Sequence, residues 1–330
     1  MNLKNSPTLK SSKIRVGLTI GDPAGIGPAI ALKAIEILKN KAVFTVIGDR
    51  LVLAKTAKIL KTNPNPFKFI DLNNVAGKEF KFGSLNAPNG RASLEYLDTA
   101  LELLKMNKID CLVTCPVSKE AINLAGFKFS GHTEYLGQQT GSSDLVMMLI
   151  NDKIRFSLLT RHIPLQDVCR SLKPEAVRKN LLNTVAGLKN LFHIKKPRLV
   201  VCGVNPHASD NGVIGAQEGK ILIPVIKNLN RRPGSFVIKG PLSADVAIAQ
   251  AAKGKFDCAI AAYHDQALIA LKLTGFNSGV NLTLGLPFVR TSPLHGTAFD
   301  IAGNPALADC GSLVAAIRLA IKCTLNRKKV

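Results

Sequence analysis

Six histidines occur in the 330 residues, at positions 132, 162, 193, 207, 264 and 295. Three of them stand in the same kind of place, just past a short apolar run. Residues 156–159 (FSLL) lead to Thr160-Arg161-His162, residues 199–204 (LVVCGV) to Asn205-Pro206-His207, and residues 258–262 (CAIAA) to Tyr263-His264-Asp265. Neutral imidazole is the commonest side-chain ligand of transition-metal ions. Three such ligands with one open position make the usual catalytic zinc-type site. Each histidine alone reads as an ordinary hydrogen-bonded one; three at three strand ends put a metal site level with that reading. Asp245 (in GPLSAD) and Asp265 lie close in sequence to the third histidine and could ligate the ion or orient its ligands. No HExxH spacing occurs, so the site has to be assembled by folding. His193, in LFHIKKP near a helix end, reads as structural or solvated.

Other segments suit an anion. Gly21-Asp22-Pro23-Ala24-Gly25-Ile26-Gly27-Pro28 follows a strand and opens a helix. It is either a tight turn with proline at the helix start or a set of exposed amides at a helix N-terminus. Ser130-Gly131-His132-Thr133-Glu134 precedes an amphipathic stretch, with Ser130 or Thr133 as the capping oxygen; the same groups could hold a carboxylate or phosphate. Residues 272–303 crowd glycine and proline around Lys272, Asn281, Arg290, Thr291, Ser292 and His295. Lysine and arginine across a glycine-rich loop suit a dianionic phosphate, against the plainer reading of a solvated basic loop. Neither GxGxxG nor a P-loop is present.

The elements that must position these residues alternate between two periods. Apolar β-rich runs at 14–20, 43–47, 111–114, 156–159, 199–204 and 258–262 alternate with helical stretches at 29–38, 92–105, 173–191 and 219–229. That order predicts right-handed βαβ crossovers and a largely parallel sheet covered on both faces. Ligands bind such sheets beyond the carboxyl ends of the strands, an edge expected to carry Asp22, Asp49, His162, His207 and His264 together. Residues 62–66 (TNPNP) are expected as a loop, 78–89 as an irregular or hairpin insertion, and 1–15 as a disordered lead-in without the apolar core of a secretory signal. No apolar run approaches the ~18 residues of a membrane span. The seven cysteines form no CxxC pair, and several lie inside apolar runs, which fits a reducing compartment and a cytoplasmic protein. A net charge of +22 would suit a nucleic-acid binder, but the lysines are scattered and there is no tryptophan and only three tyrosines for base stacking. No nucleic-acid or membrane partner is expected, and a phosphorylated substrate fits the charge better.

Taken in order, GDPAGIGP (21–28), GHTEYL (131–136), RHIPLQDV (161–168), NPHA (205–208), GPLSAD (240–245), AYHDQ (262–266), GVNLTLGLPFVRTS (279–292) and HGTAFDIAG (295–303) closely resemble the 4-hydroxythreonine-4-phosphate dehydrogenase family of pyridoxal phosphate biosynthesis. The resemblance implies an α/β fold of the isocitrate/isopropylmalate dehydrogenase type, with two α/β/α domains and a cleft between them. It divides the chain approximately into 1–137 with 296–330, and 138–295 carrying the metal ligands and the dimer interface. It also implies a homodimer with a shared active site and metal-dependent, NAD- or NADP-linked oxidation of 4-phosphooxy-L-threonine followed by decarboxylation. Carried onto this chain, His162, His207 and His264 would bind a divalent ion (zinc, cobalt, manganese or magnesium), and His132, Thr133, Lys272, Asn281 and Arg290 the substrate. Asp245 and Asp265 remain candidates for the general base, as does a metal-bound water. A paralogue acting on threonate or erythronate 4-phosphate shares these motifs, and a catalytically dead phosphate-ligand binder would keep them. The chain departs from the family pattern at Ala29, usually glutamate, at Ser209-Asp210, where NPHA is usually followed by GE, and at Leu294, usually aspartate.

Overall fold

The computed structural model describes residues 13–62, 67–77, 79–128, 131–231, 234–275 and 278–329. The lead-in before residue 13, most of the 62–66 loop and Ser130 lie outside the described residues. Eleven strands alternate with helices: β1 (Arg15–Thr19), α1 (Gly27–Leu38), β2 (Val43–Gly48), α2 (Arg50–Leu60), β3 (Lys68–Asp71), α3 (Ala87–Lys105), β4 (Cys111–Thr114), α4 (Lys119–Leu124), α5 (His132–Thr140), β5 (Val146–Ile150) and β6 (Arg155–Leu158) come first. Then follow α6 (Val168–Ser171), α7 (Pro174–Phe192), β7 (Arg198–Cys202), α8 (Ile223–Asn230), β8 (Val237–Leu242), α9 (Ala244–Ala252), β9 (Cys258–Ala261), α10 (His264–Gly275), β10 (Val280–Leu284), β11 (Val289–Pro293) and α11 (Gly311–Arg327).

All strands join one sheet in the order β3-β2-β1-β4-β11-β10-β5-β6-β9-β7-β8. The expected parallel arrangement holds in two blocks, β3-β2-β1-β4-β11 and β6-β9-β7-β8, but not between them. There β11, β10, β5 and β6 pair antiparallel in succession. Short links of 285–288 and 151–154 join β10 to β11 and β5 to β6, too short for a parallel crossover, while the third antiparallel pairing, β10 with β5, joins strands far apart in sequence. Asn151 closes the second link, its side chain accepting from the backbone N–H groups of Lys153 and Ile154 at 2.9 Å each.

Two expectations are corrected by this topology. The segment 272–303 is not one glycine-rich loop: its middle forms β10 and β11 at the centre of the sheet. The two parallel blocks also run in opposite directions, so Asp22 and Asp49 do not share a strand-end edge with His162, His207 and His264. Asp49 instead caps α2, accepting from Leu51 and Val52 N–H, and Asp22 folds into the turn before α1. The 78–89 insertion is irregular across 79–86, and α3 begins at Ala87 because the Asn86 carboxamide caps it, accepting from Asn89 N–H.

The core falls into one large hydrophobic cluster and two smaller ones. α1, α7, α8 and α11 cover one face; the Thr291 hydroxyl donates to the Ala316 carbonyl of α11, which fixes that face of β11. On the other face α3, α4 and α5 cover the first block and α9 and α10 the second. The two groups leave the sheet open between them above β11 and β10, and the site lies in that gap.

Candidate active site

Register determines what faces the gap. Asn281 pairs with Ser292, and Thr283 with Arg290; alternation puts all four side chains opposite Thr291, away from α11. The resulting cavity, about 280 Å³, is walled by Cys115, Pro116 and Val117 after β4, by Lys119, by Gly131–Glu134 opening α5, by Met147 and His162, and by residues 292–296. Asn281 and Arg290 form its floor.

Arg290 is the largest fully buried side chain among the described residues, 1% exposed. Its guanidinium donates to the hydroxyls of Thr283 (3.1 Å) and Thr114 (2.7 Å), and its Nε is buried without a partner. Burial lowers its pKa to about 10, with Glu134 opposing, so it stays charged at neutral pH. No carboxylate is ion-paired with it among the described residues. A buried cation satisfied only by neutral hydroxyls is costly and calls for an anion.

Seven buried side-chain polar atoms lack partners among the described residues, and four of them surround this one cavity: Arg290 Nε, Asn281 Oδ1, His132 Nε2 and His295 Nε2. Such orphans are rare in folded interiors, and their convergence marks a place where a ligand supplies the missing bonds. His132 is held well below its ordinary pKa by burial and then by the Arg290 charge, so its ring is neutral. Thr133 is buried beside it. Gly131 (φ 146°), not Thr133, occupies the N-cap of α5, and among the described residues no side-chain cap is made there. The helix therefore directs its positive end at the gap.

The three histidines at strand ends are only partly brought together. The rings of His162 and His264 are 5.4 Å apart. Burial, followed by the charge of Lys119, lowers the pKa of His162, which favours the neutral ring a metal needs. His264 Nδ1 and Asp265 Oδ1 are hydrogen-bonded at 2.8 Å, the carboxylate orienting the imidazole. His207 is exposed, in a turn where residues 207–211 all take left-handed φ of 45–73°. Its charge is the smallest of the causes that lower the pKa of exposed Asp245, the first being the Ser243 side chain. No group of three or more His, Cys, Asp or Glu side chains suited to a metal occurs among the described residues. The donors are of the right type, but one chain assembles only two of them.

Lys272 lies outside the main cavity, in an adjoining one of about 260 Å³ that shares Leu294 and His295 as a common wall. The turn at 21–28 is buried throughout, which leaves the tight-turn reading. A Cβ on Gly21 (φ 72°) would meet the Pro116 carbonyl at 2.2 Å, so the turn is moulded against the end of β4. His193 caps α7 and bonds the Asn326 carbonyl at 3.0 Å, the structural role expected of it.

Comparison with known proteins identifies the family. The profile of the family described as pyridoxal phosphate biosynthetic protein PdxA matches residues 39–320. The chain belongs to the PdxA family. It is 38% identical over 326 residues to the 4-hydroxythreonine-4-phosphate dehydrogenase of Sulfurihydrogenibium sp. (strain YO3AOP1), covering 96% of this chain and 100% of the relative. A protein of Oceanobacillus iheyensis named for D-threonate 4-phosphate dehydrogenation is 36% identical, with 94% and 98% covered. The crystal structure of 4-hydroxythreonine-4-phosphate dehydrogenase from Klebsiella pneumoniae superimposes with a TM-score of 0.84 at 31% identity, covering 96% and 99%. The fold is thus the expected α/β type, related to isocitrate/isopropylmalate dehydrogenases. The PdxA family is one of enzymes, oxidoreductases of pyridoxine biosynthesis that use a nicotinamide cofactor.

Two residues of the site were not singled out from sequence. Lys119 follows the Ser118 cap of α4, and only the cavity reveals its position. Glu218 is 1% exposed, and its carboxylate accepts from the backbone N–H groups of Val204 and Asn205 at 2.8 Å each and from Asn205 Nδ2 at 2.8 Å. It anchors the turn that carries His207. Its sequence context, AQEGK, gives no sign of this.

Proposed function

We propose that this chain oxidises the secondary alcohol of 4-phosphooxy-L-threonine with NAD or NADP. The product, 2-amino-3-oxo-4-phosphooxybutanoate, then loses its carboxyl group as carbon dioxide, giving 3-amino-2-oxopropyl phosphate. The observation that carries the reading is the Arg290 guanidinium, bonded only to neutral hydroxyls and with Nε unsatisfied, among orphaned polar atoms in a cavity sized for a small phosphorylated acid. Arg290 holds the phosphate, with Lys272 reaching toward the same ligand from the adjoining cavity. Neutral His132 and Thr133 position the substrate, and Asn281 Oδ1 accepts from its hydroxyl or ammonium group. Hydride passes to the nicotinamide and the hydroxyl proton to a base, for which Asp245 and Asp265 are the candidates. After decarboxylation the enol carbon takes a proton.

His162, His207 and His264 are the proposed holders of a divalent ion, zinc, cobalt, manganese or magnesium, which would supply Lewis-acid polarisation of the substrate oxygens. Because one chain brings only His162 and His264 together, the site is completed in a homodimer. The exposed apolar side chains around it support that: Ile163, Leu165, Val213 and Ile214 on the histidine loops, and Ile269 and Leu273 one turn apart on α10. The proposed division is into 1–137 with 296–330 and 138–295, with β11 of the second segment paired parallel to β4 of the first. No helix among the described residues is long and apolar enough to cross a membrane, and the buried free cysteines suit a cytoplasmic setting.

The relative named for D-threonate 4-phosphate favours one second reading, a substrate with hydroxyl in place of amine. Comparing kcat/KM for 4-phosphooxy-L-threonine with that for threonate and erythronate 4-phosphates decides between them. Preference for the amino acid is expected; preference for a hydroxy acid would reassign the substrate, and no turnover on any would leave a phosphate-ligand binder.

A further inference from the structure

We infer that Lys119 is a substrate-binding residue, the counterpart of Arg290 at the open side of the cavity, and that it takes the substrate carboxylate. The inference rests on the substrate reading above. Lys119 opens α4 directly after β4 and lines the cavity with an exposed side chain. Its Cε stands 3.5 Å from the point a Cβ on Gly131 would occupy, so its stem runs against the N-cap of α5. A cation beside the positive end of a helix whose N-cap is glycine is unfavourable unless an anion sits between them. The one acid lining the cavity, Glu134, has Oε2 3.8 Å from the same point, but its Oε1 turns to Arg161 at 3.6 Å. No ion pair joins Lys119 to a carboxylate among the described residues. Lys119 also stands close enough to His162 that its charge is the largest cause after burial of that ring's lowered pKa.

Charge balance points the same way. The substrate carries a phosphate near −2, a carboxylate and an ammonium group, a net charge of about −2. With Glu134 offset by Arg161, the lining of this cavity offers two cations, Arg290 and Lys119, for the two anionic groups of the substrate. Arg290 is buried on the floor and Lys119 is at the opening, so the two anionic ends of an extended substrate are held apart. The reacting carbons then lie between them, against His132 and His162. Lys119 is a binding residue and moves no proton in this account.

The test pairs the substrate with 3-amino-2-hydroxypropyl phosphate, which keeps phosphate, hydroxyl and amine but lacks the carboxylate. Lys119→Met should lower kcat/KM for the substrate by about 10–100-fold, on the order of one charge-assisted contact. It should weaken equilibrium binding of the decarboxylated analogue less than about threefold, and Lys119→Arg should recover most of the loss. Arg290→Lys should weaken both ligands alike. An unchanged kcat/KM in Lys119→Met, or equal losses for both ligands, would overturn the assignment. If wild-type protein does not turn over the substrate, it is the functional reading that fails; calorimetric affinities of the two ligands for wild type and Lys119→Met still judge Lys119.

Discussion

Arg290 combines full burial, a retained charge and an unsatisfied Nε, and such a group is stable only if something pays for it. A bound phosphate does so through charge-assisted bonds, so Arg290→Met should cost about 2–4 kcal/mol in kcat/KM. The free variant should fold at least as stably as wild type, because removing a buried unpaired cation relieves its desolvation. Steady-state kinetics beside thermal unfolding separate the two effects; a large loss of stability would make the residue structural. Asp22 makes a second test at this scale. It is fully buried, one oxygen accepts from Ala24 N–H, the other has no partner, and burial raises its pKa from 3.8 to about 6. The unfolded chain therefore releases this proton at lower pH than the folded one. The native state loses stability as pH rises from about 4 to about 6 and carries a constant penalty above that, on the order of 3 kcal/mol at most. Asp22→Asn should raise the unfolding temperature at neutral pH and leave it unchanged below about pH 4; a lower midpoint at neutral pH would show that the ionised carboxylate stabilises the turn. Sequence alone marked Arg290 as a cation in a candidate anion site, but not its burial, because its stretch was read as a loop and not as a central strand.

At the level of elements, the strand-end histidines were legible because parallel strands buried on both faces are continuous apolar runs that stop abruptly. The antiparallel centre was less so: β10 alternates apolar and polar residues, β11 carries Arg290-Thr291-Ser292 in a row, and such polar stretches beside glycines resemble loop. The turn carrying His207 depends on one side chain from outside it. Glu218 satisfies two backbone amides and the Asn205 carboxamide, holding residues 204–205 in place ahead of five left-handed residues. Glu218→Ala leaves those donors unmet in a buried setting and should weaken divalent-metal affinity by about 10–100-fold, the usual range for loss of a supporting residue. Far-UV circular dichroism should stay close to wild type. Calorimetric titration with zinc is the check; wild-type affinity would detach Glu218, or His207 itself, from the metal site.

Across the whole molecule, two parallel blocks run oppositely through one sheet, and the cavity opens where helices leave it uncovered. Neither could be read from local patterns, since both depend on which strand ends up beside which. A single chain supplies two adjacent imidazoles and an exposed third, so activity should depend on dimerisation. In a two-fold dimer, if ligands come from different chains, remixing His207→Ala with His264→Ala gives hybrids with one intact site and one doubly damaged site. Random exchange should then restore about a quarter of wild-type activity from two inactive parents. No recovery for any pair among the three histidine variants, with exchange verified, would place the whole ligand set within one chain. The central claim is oxidation followed by loss of the carboxyl group. Its most direct test is to supply purified protein with 4-phosphooxy-L-threonine labelled at the carboxyl carbon, NAD or NADP and a divalent ion, and to measure reduced cofactor and labelled carbon dioxide together. The account predicts that both appear in equal amounts and that chelation stops both; reduced cofactor without carbon dioxide, or neither product under any metal, would contradict it.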